Sequence, residues 1–104
     1  MQEKKHDAIL IDPKDNVAVA VKALDKGQTA FVKGETFAAE IILASDIAFG
    51  HKFATSDLAV ETEIIKYGEV IGKASCDIKK GEHVHDHNIV GIRGKRIAES
   101  RKEI

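Results

Sequence analysis

Cysteine, proline and tryptophan are almost missing from this chain, which has one Cys, one Pro and no Trp. A single thiol, Cys76, excludes an internal disulfide framework. Its neighbours Ser75 and Asp77 would not depress a thiol pKa, so a structural role is expected for it. Aromatic rings are scarce: Phe31, Phe37, Phe49, Phe53 and Tyr67. Stacking on single-stranded nucleic acid needs several rings along a basic groove, whereas these rings have apolar neighbours and are expected in the core. Charge of one sign is not in excess either. The 16 basic and 17 acidic residues leave a net charge of −1, which gives no global attraction to nucleic acid or to an anionic membrane. No stretch approaches the ~20 apolar residues that cross a bilayer. Residues 1–6 lack the apolar segment of a secretory signal, so a cytoplasmic location is the default expectation. A Gly-rich phosphate loop and a nucleophile elbow are both absent.

What is present is a chain of 104 residues, 43% hydrophobic and 32% charged, which suits one soluble domain with a modest core. The expected division is a tail over 1–7, a domain over 8–92 and a charged tail over 93–104. Short β-like runs separated by Gly, Asp and Lys dominate. Residues 8–11 form the first, stopped by the turn formers Asp12, Pro13, Lys14, Asp15 and Asn16. Residues 17–21 follow, too apolar on both faces for a one-sided surface strand. Residues 28–32 and 36–43 read as further strands joined by a tight turn at Lys33-Gly34-Glu35. The fold class is therefore mostly β, barrel-like or clip-like, with one or two short helical turns. Thr55 or Ser56 would cap one through Ala59, and residues 95–104 would form a charged terminal helix.

A weak repeat runs through the chain. Residues 23–28 (ALDKGQ), 57–62 (DLAVET) and 77–82 (DIKKGE) align without gaps, each turning into an extended run. Gly27 and Gly81 suit that turn, and Glu61 in the same slot predicts a different or a strained turn. The basic stretch at 91–96, with Arg101 and Lys102 beyond, is either a docking arm or a solvated terminus.

The histidines carry the chemistry. Four of the five lie in two glycine-flanked segments, Gly50-His51-Lys52-Phe53 and Gly81-Glu82-His83-Val84-His85-Asp86-His87-Asn88. In an extended strand alternate residues share a face, so His83, His85 and His87 are expected to project together. Residues two apart are separated by about 6.5–7 Å and the outer pair by about 13 Å, so a common ion would take two of the three. His51 or a partner chain would complete such a site. Imidazole with oxygen suits iron, manganese or zinc. Lys52 could hold a carboxylate or carry a proton, and Asn88 could orient a hydroxyl or take a left-handed turn. A solvated polar face is the plain alternative for the histidines.

In combination, Gly50-His51-Lys52-Phe53-Ala54, Ile65-Lys66-Tyr67-Gly68, Ile71-Gly72, the 81–88 segment and Asp15-Asn16-Val17-Ala18-Val19-Ala20 resemble the amino-terminal SAF module of altronate and galactarate dehydratases. The resemblance covers roughly residues 8–90 and implies a β-clip fold. It also implies a place in dehydration of an aldonate or aldarate to a 2-keto-3-deoxy acid, with a divalent metal, usually iron (Fe2+), Mn2+ or Zn2+ being alternatives. The sulfolactate sulfo-lyase small subunit is similar, with sulfite leaving in place of water. Carried over by motif, His51 and Lys52 are expected to be catalytic, and His83, His85, His87 and Asn88 to bind metal or substrate. A cleft for a six-carbon acid takes about 300 Å³ or more, which one small clip would not enclose. A large catalytic subunit is therefore the expected partner, and a homo-oligomer remains open. The rival readings are a non-catalytic sugar-acid binding module and a metal-storage or assembly module.

Overall fold

A computed structural model describes residues 5–91. The expected terminal helix, the whole charged tail over 93–104 and part of the amino-terminal tail lie outside the described residues. Strand formation follows the apolar alternation. β1 is Ala8–Leu10, β2 Val17–Ala20, β3 Thr29–Gly34, β4 Ala38–Ile42, β5 Lys52–Ala54, β6 Glu63–Lys66, β7 Glu69–Ala74, β8 His83–Val84 and β9 Ile89–Val90. In β3, Ala30 and Val32 are buried while Thr29 and Lys33 are exposed, as a strand with one covered face requires. β2 is different: Val17 and Ala18 are both buried, because each face of this strand meets a core.

Six strands form one sheet in the order β4-β3-β1-β2-β5-β8, and β6-β7-β9 form a smaller one. β1 lies antiparallel to β2 (Ala8 opposite Ala20) and parallel to β3 (Ala8 opposite Val32). Every other pairing is antiparallel. One core collects Leu10, Leu24, Val32, Ile41, Leu43, Ile47 and Phe53; the other collects Val17, Leu58, Ile64, Ile78 and Val84.

The repeat is real in three dimensions, and it has four members. Leu24, Ile47, Leu58 and Ile78 are buried and form two isolated bridges, Leu24–Ile47 and Leu58–Ile78. Three residues after each comes a positive φ, at Gly27, Gly50, Glu61 and Gly81. The next amide then donates back three residues: Gln28 to Asp25, His51 to Ala48, Thr62 to Ala59 and Glu82 to Lys79. A positive φ at the third residue of such a turn is the type II pattern. Residues 46–51 (DIAFGH) are the member that the sequence alignment left out. Glu61 adopts φ 77, so this turn keeps the shape of its relatives and carries the strain. Asp57 and Asp77 each accept an amide from the opposite turn, of Lys80 at 2.9 Å and Val60 at 2.9 Å.

Two expectations are corrected. No helix occurs among the described residues, and the short helical turn expected at 55–59 is instead one of these bridged turns, with Leu58 drawn into pairing with Ile78. The aromatic residues are not all core. Phe53 is fully buried, but Phe49 is 70% and Tyr67 56% exposed, because both sit in turns. Tyr67 and Gly68 have φ 57 and 77 and form a two-residue hairpin loop between β6 and β7. That loop is fastened by Asp15, whose Oδ1 accepts the Gly68 N–H at 2.8 Å, and by Asn16, whose Oδ1 accepts the Ile65 N–H at 2.8 Å. The Asp15-Asn16 and Tyr67-Gly68 motifs are thus two halves of one structural joint.

Candidate functional site

Two of the four turns open into the strands that carry the histidines. The 46–51 turn ends at His51 and continues as β5; the 77–82 turn continues as β8. β5 and β8 pair antiparallel, with Lys52 opposite Val84 and Phe53 opposite His83. Extending that register sets His51 across from His85. Strand alternation then places His51, His83 and His85 on the Phe53 side of the ribbon and Lys52 on the Val84 side.

The rings confirm the convergence. His51 Nδ1 lies 2.9 Å from His83 Nε2. Ring centroids are 5.1 Å apart for His51–His83, 4.6 Å for His51–His85 and 5.3 Å for His83–His85, all in nearly parallel planes. One ligand nitrogen from each of these three residues falls within 4.8 Å of the others. Ligands on a common ion at ~2.0–2.1 Å are at most ~4.2 Å apart, so the three rings would have to draw closer to share one. His87 is exposed and touches the group from outside, its ring tilted against His83 at 5.4 Å.

This differs from the expected geometry in an instructive way. β8 ends at Val84, and residues 85–88 form a turn. His83, His85 and His87 therefore do not line one extended strand. The cluster is made across two strands, with His51 a full member.

A hydrogen bond between imidazoles needs one N–H and one lone pair, so at least one of His51 and His83 is neutral. Burial, then the neighbouring His51, His85 and His87 rings and Lys52, push the His83 pKa below its ordinary value. Neutral imidazole is the form that ligates metal. Lys52 is also lowered, by burial and then by Lys66, with Asp86 opposing.

Asn88 is placed unlike a ligand-facing residue. It is 1% exposed, its Oδ1 accepts the His85 N–H at 2.9 Å and its Nδ2 donates to the His83 carbonyl at 2.8 Å. Its φ is not positive, so the left-handed turn considered from sequence does not apply. Ser45, which sequence reasoning passed over, accepts the His83 N–H on its Oγ at 3.2 Å. Nothing in a lone serine signals such a contact. The three imidazoles are half-buried, and a separate cleft of about 670 Å³ is lined by Asp57, Leu58, Asp77, Ile78, Lys79 and Glu82.

The altronate/galactarate dehydratase SAF domain model matches residues 6–91. The chain is 46% identical over 80 residues to an altronate dehydratase of Escherichia coli (strain K12), a match covering 77% of this chain and 15% of that protein. It is 38% identical over 82 residues to a galactarate dehydratase (L-threo-forming) of the same organism, covering 79% of this chain and again 15% of the relative. The (2R)-sulfolactate sulfo-lyase subunit alpha of Chromohalobacter salexigens is 36% identical over 86 residues, covering 80% of this chain and 92% of that subunit. The chain thus spans a small part of the dehydratases and nearly all of the sulfo-lyase subunit.

Proposed function

The chain belongs to the altronate/galactarate dehydratase SAF domain family, and from that membership we propose that it is the small subunit of a sugar-acid dehydratase. In this reading it supplies a histidine wall to an active site completed by a large subunit. The observation that carries the reading is the meeting of His51, at the start of β5, with His83 and His85, at and just after β8. A solvated polar face has no reason to bring His51 into contact with His83 and His85, more than thirty residues away, because each imidazole loses hydration by doing so.

His51, His83 and His85 would hold a divalent metal, iron or else manganese or zinc, as neutral imidazole ligands. Such an ion supplies Lewis acidity toward the substrate oxygens. In the elimination a base takes the C2 proton, the C–H electron pair becomes the C2–C3 double bond, and the C3 hydroxyl gains a proton and leaves as water. His87 is exposed at the edge of the cluster, with its ring against His83, where an imidazole could hand that proton to a substrate held beside the group. Lys52, near enough to lower the His83 pKa, would add positive charge beside the group and attract an anionic sugar acid. Half-buried imidazoles on one small domain fit a site shared with a second polypeptide.

Metal titration tests the ligand assignment. Co2+ or Fe2+ affinity is expected to fall ~10-fold or more in His51→Ala, His83→Ala and His85→Ala, and to change little in His87→Ala. Equal affinity across all four variants and the wild type would sink the assignment.

A second reading, elimination of sulfite from a sulfolactate, is favoured by one observation: the match covers 92% of a sulfo-lyase subunit alpha. Supplying the assembled complex with each acid in turn separates the two, since only one should be consumed rapidly.

A further inference from the structure

His83 lies on β8, the last strand of the six-stranded sheet. A residue on such an edge leaves backbone groups that a neighbouring strand would normally take. At His83 two side chains take them instead. Its N–H donates to Ser45 Oγ at 3.2 Å, and its carbonyl accepts from Asn88 Nδ2 at 2.8 Å. Asn88 also grips the next histidine twice, through Oδ1 to the His85 N–H at 2.9 Å and through its own N–H to the His85 carbonyl at 3.0 Å. The amide orientation is fixed by these partners, because a backbone N–H only donates and a carbonyl only accepts. The Asn88 carbonyl in turn accepts the Ser75 N–H at 3.0 Å, anchoring the turn to the body of the fold.

Packing alone does not call for this residue. Asn88 is 1% exposed, and a buried carboxamide is costly unless both ends are bonded. An apolar side chain would fill the volume without that demand. What the amide adds is a direct link between the backbones of two histidines at the end of the strand ladder.

We propose that Asn88 is a positioning residue, its buried carboxamide fixing His83 and His85 relative to each other, with Ser45 as the second anchor of His83. The proposal rests on the reading of these histidines as a working group, and it withdraws Asn88 from direct contact with ligand, since both ends of its side chain are already bonded to protein.

Imidazole 15N NMR on the metal-free chain, paired with Co2+ titration, tests it. Asn88→Asp keeps an acceptor for the His85 N–H and replaces the donor to His83 with an oxygen. The ring nitrogen signals of His51, His83 and His85 should move while those of His6 stay, and Co2+ affinity should fall ~10-fold, the scale of lost outer-shell support. Ser45→Ala, at a half-buried site outside the cores, should shift the His83 signals and weaken Co2+ binding less. It keeps the proposal refutable if Asn88→Asp does not fold. Unchanged His51, His83 and His85 signals in folded variants overturn the proposal, whatever the Co2+ result. A wild type that gives the His51–His83 contact and takes no Co2+ overturns the metal reading alone, and the NMR comparison still decides the role of Asn88.

Discussion

Asp7 ties the start of β1 to the neighbouring strand: its Oδ2 accepts the Phe31 N–H at 2.9 Å and its Oδ1 meets Lys22 Nζ at 3.2 Å. Burial alone would raise this carboxyl, but the Phe31 amide and Lys22 outweigh it and hold the pKa below its ordinary value. A depressed carboxyl contributes stability that is present above its unfolded value, about 3.9, and is lost as pH falls through the folded one. Asp7→Asn is therefore expected to cost about 1 kcal/mol in denaturant melts at pH 7, a charge-assisted bond's worth. The difference from wild type should shrink toward zero as the pH is lowered below 4. Glu61 offers the opposite sign. Its φ of 77 strains a side-chain-bearing residue, and its contact with Lys73 is long, at 3.6 Å, and exposed. Glu61→Gly should raise stability by about 0.5–1 kcal/mol, read as a higher melting temperature.

At the scale of elements, the four bridged turns explain what the sequence disclosed and what it hid. Strand positions were legible because Ala8–Leu10, Val17–Ala20 and Ala38–Ile42 are apolar runs between turn formers. The slot shared by Gly27, Glu61 and Gly81 was legible as a repeat. Gly50 was hidden because the eye groups Gly50-His51 with the chemistry of the site, not with a turn that merely ends there. The histidine geometry was half legible. Alternation predicts that His83, His85 and His87 project together from one strand, but β8 ends at Val84 and residues 85–88 turn, which no local pattern reports. The turns also differ in their freedom. Gly50 and Gly81 have φ 82 and 87, yet a Cβ on Gly50 would meet nothing within 4 Å, whereas one on Gly81 would strike the Ile42 carbonyl. Gly50→Ala should cost about 1–2 kcal/mol from backbone strain alone. Gly81→Ala should cost more than ~3 kcal/mol or prevent folding, with the loss visible in urea melts.

For the whole molecule, the decisive quantity is enclosure. The three imidazoles are half-buried on a small domain, and the matched region is 15% of the length of the dehydratase relatives. The purified chain is expected to give no measurable dehydration of altronate or galactarate, and turnover is expected to appear when a large dehydratase subunit is added. Rapid dehydration by the chain alone would refute the two-subunit reading. Activity of the assembled pair should be lost on chelation and restored by Fe2+ or Mn2+.

The two cores are not independent of one another. Neighbouring residues on β2 divide between them, Val17 into one and Ala18 into the other, and β5 does the same with Ala54 and Phe53. Val17 faces Ala54 across the ladder, and Ala18 faces Phe53. Neither core can come apart without unzipping this shared seam, so the chain should melt as one cooperative unit despite its two sheets. His51 is joined directly to the end of that seam. Loosening anywhere in the fold therefore reaches the imidazoles, and a ligand that clamps them would slow the exchange of amide hydrogens in both halves at once.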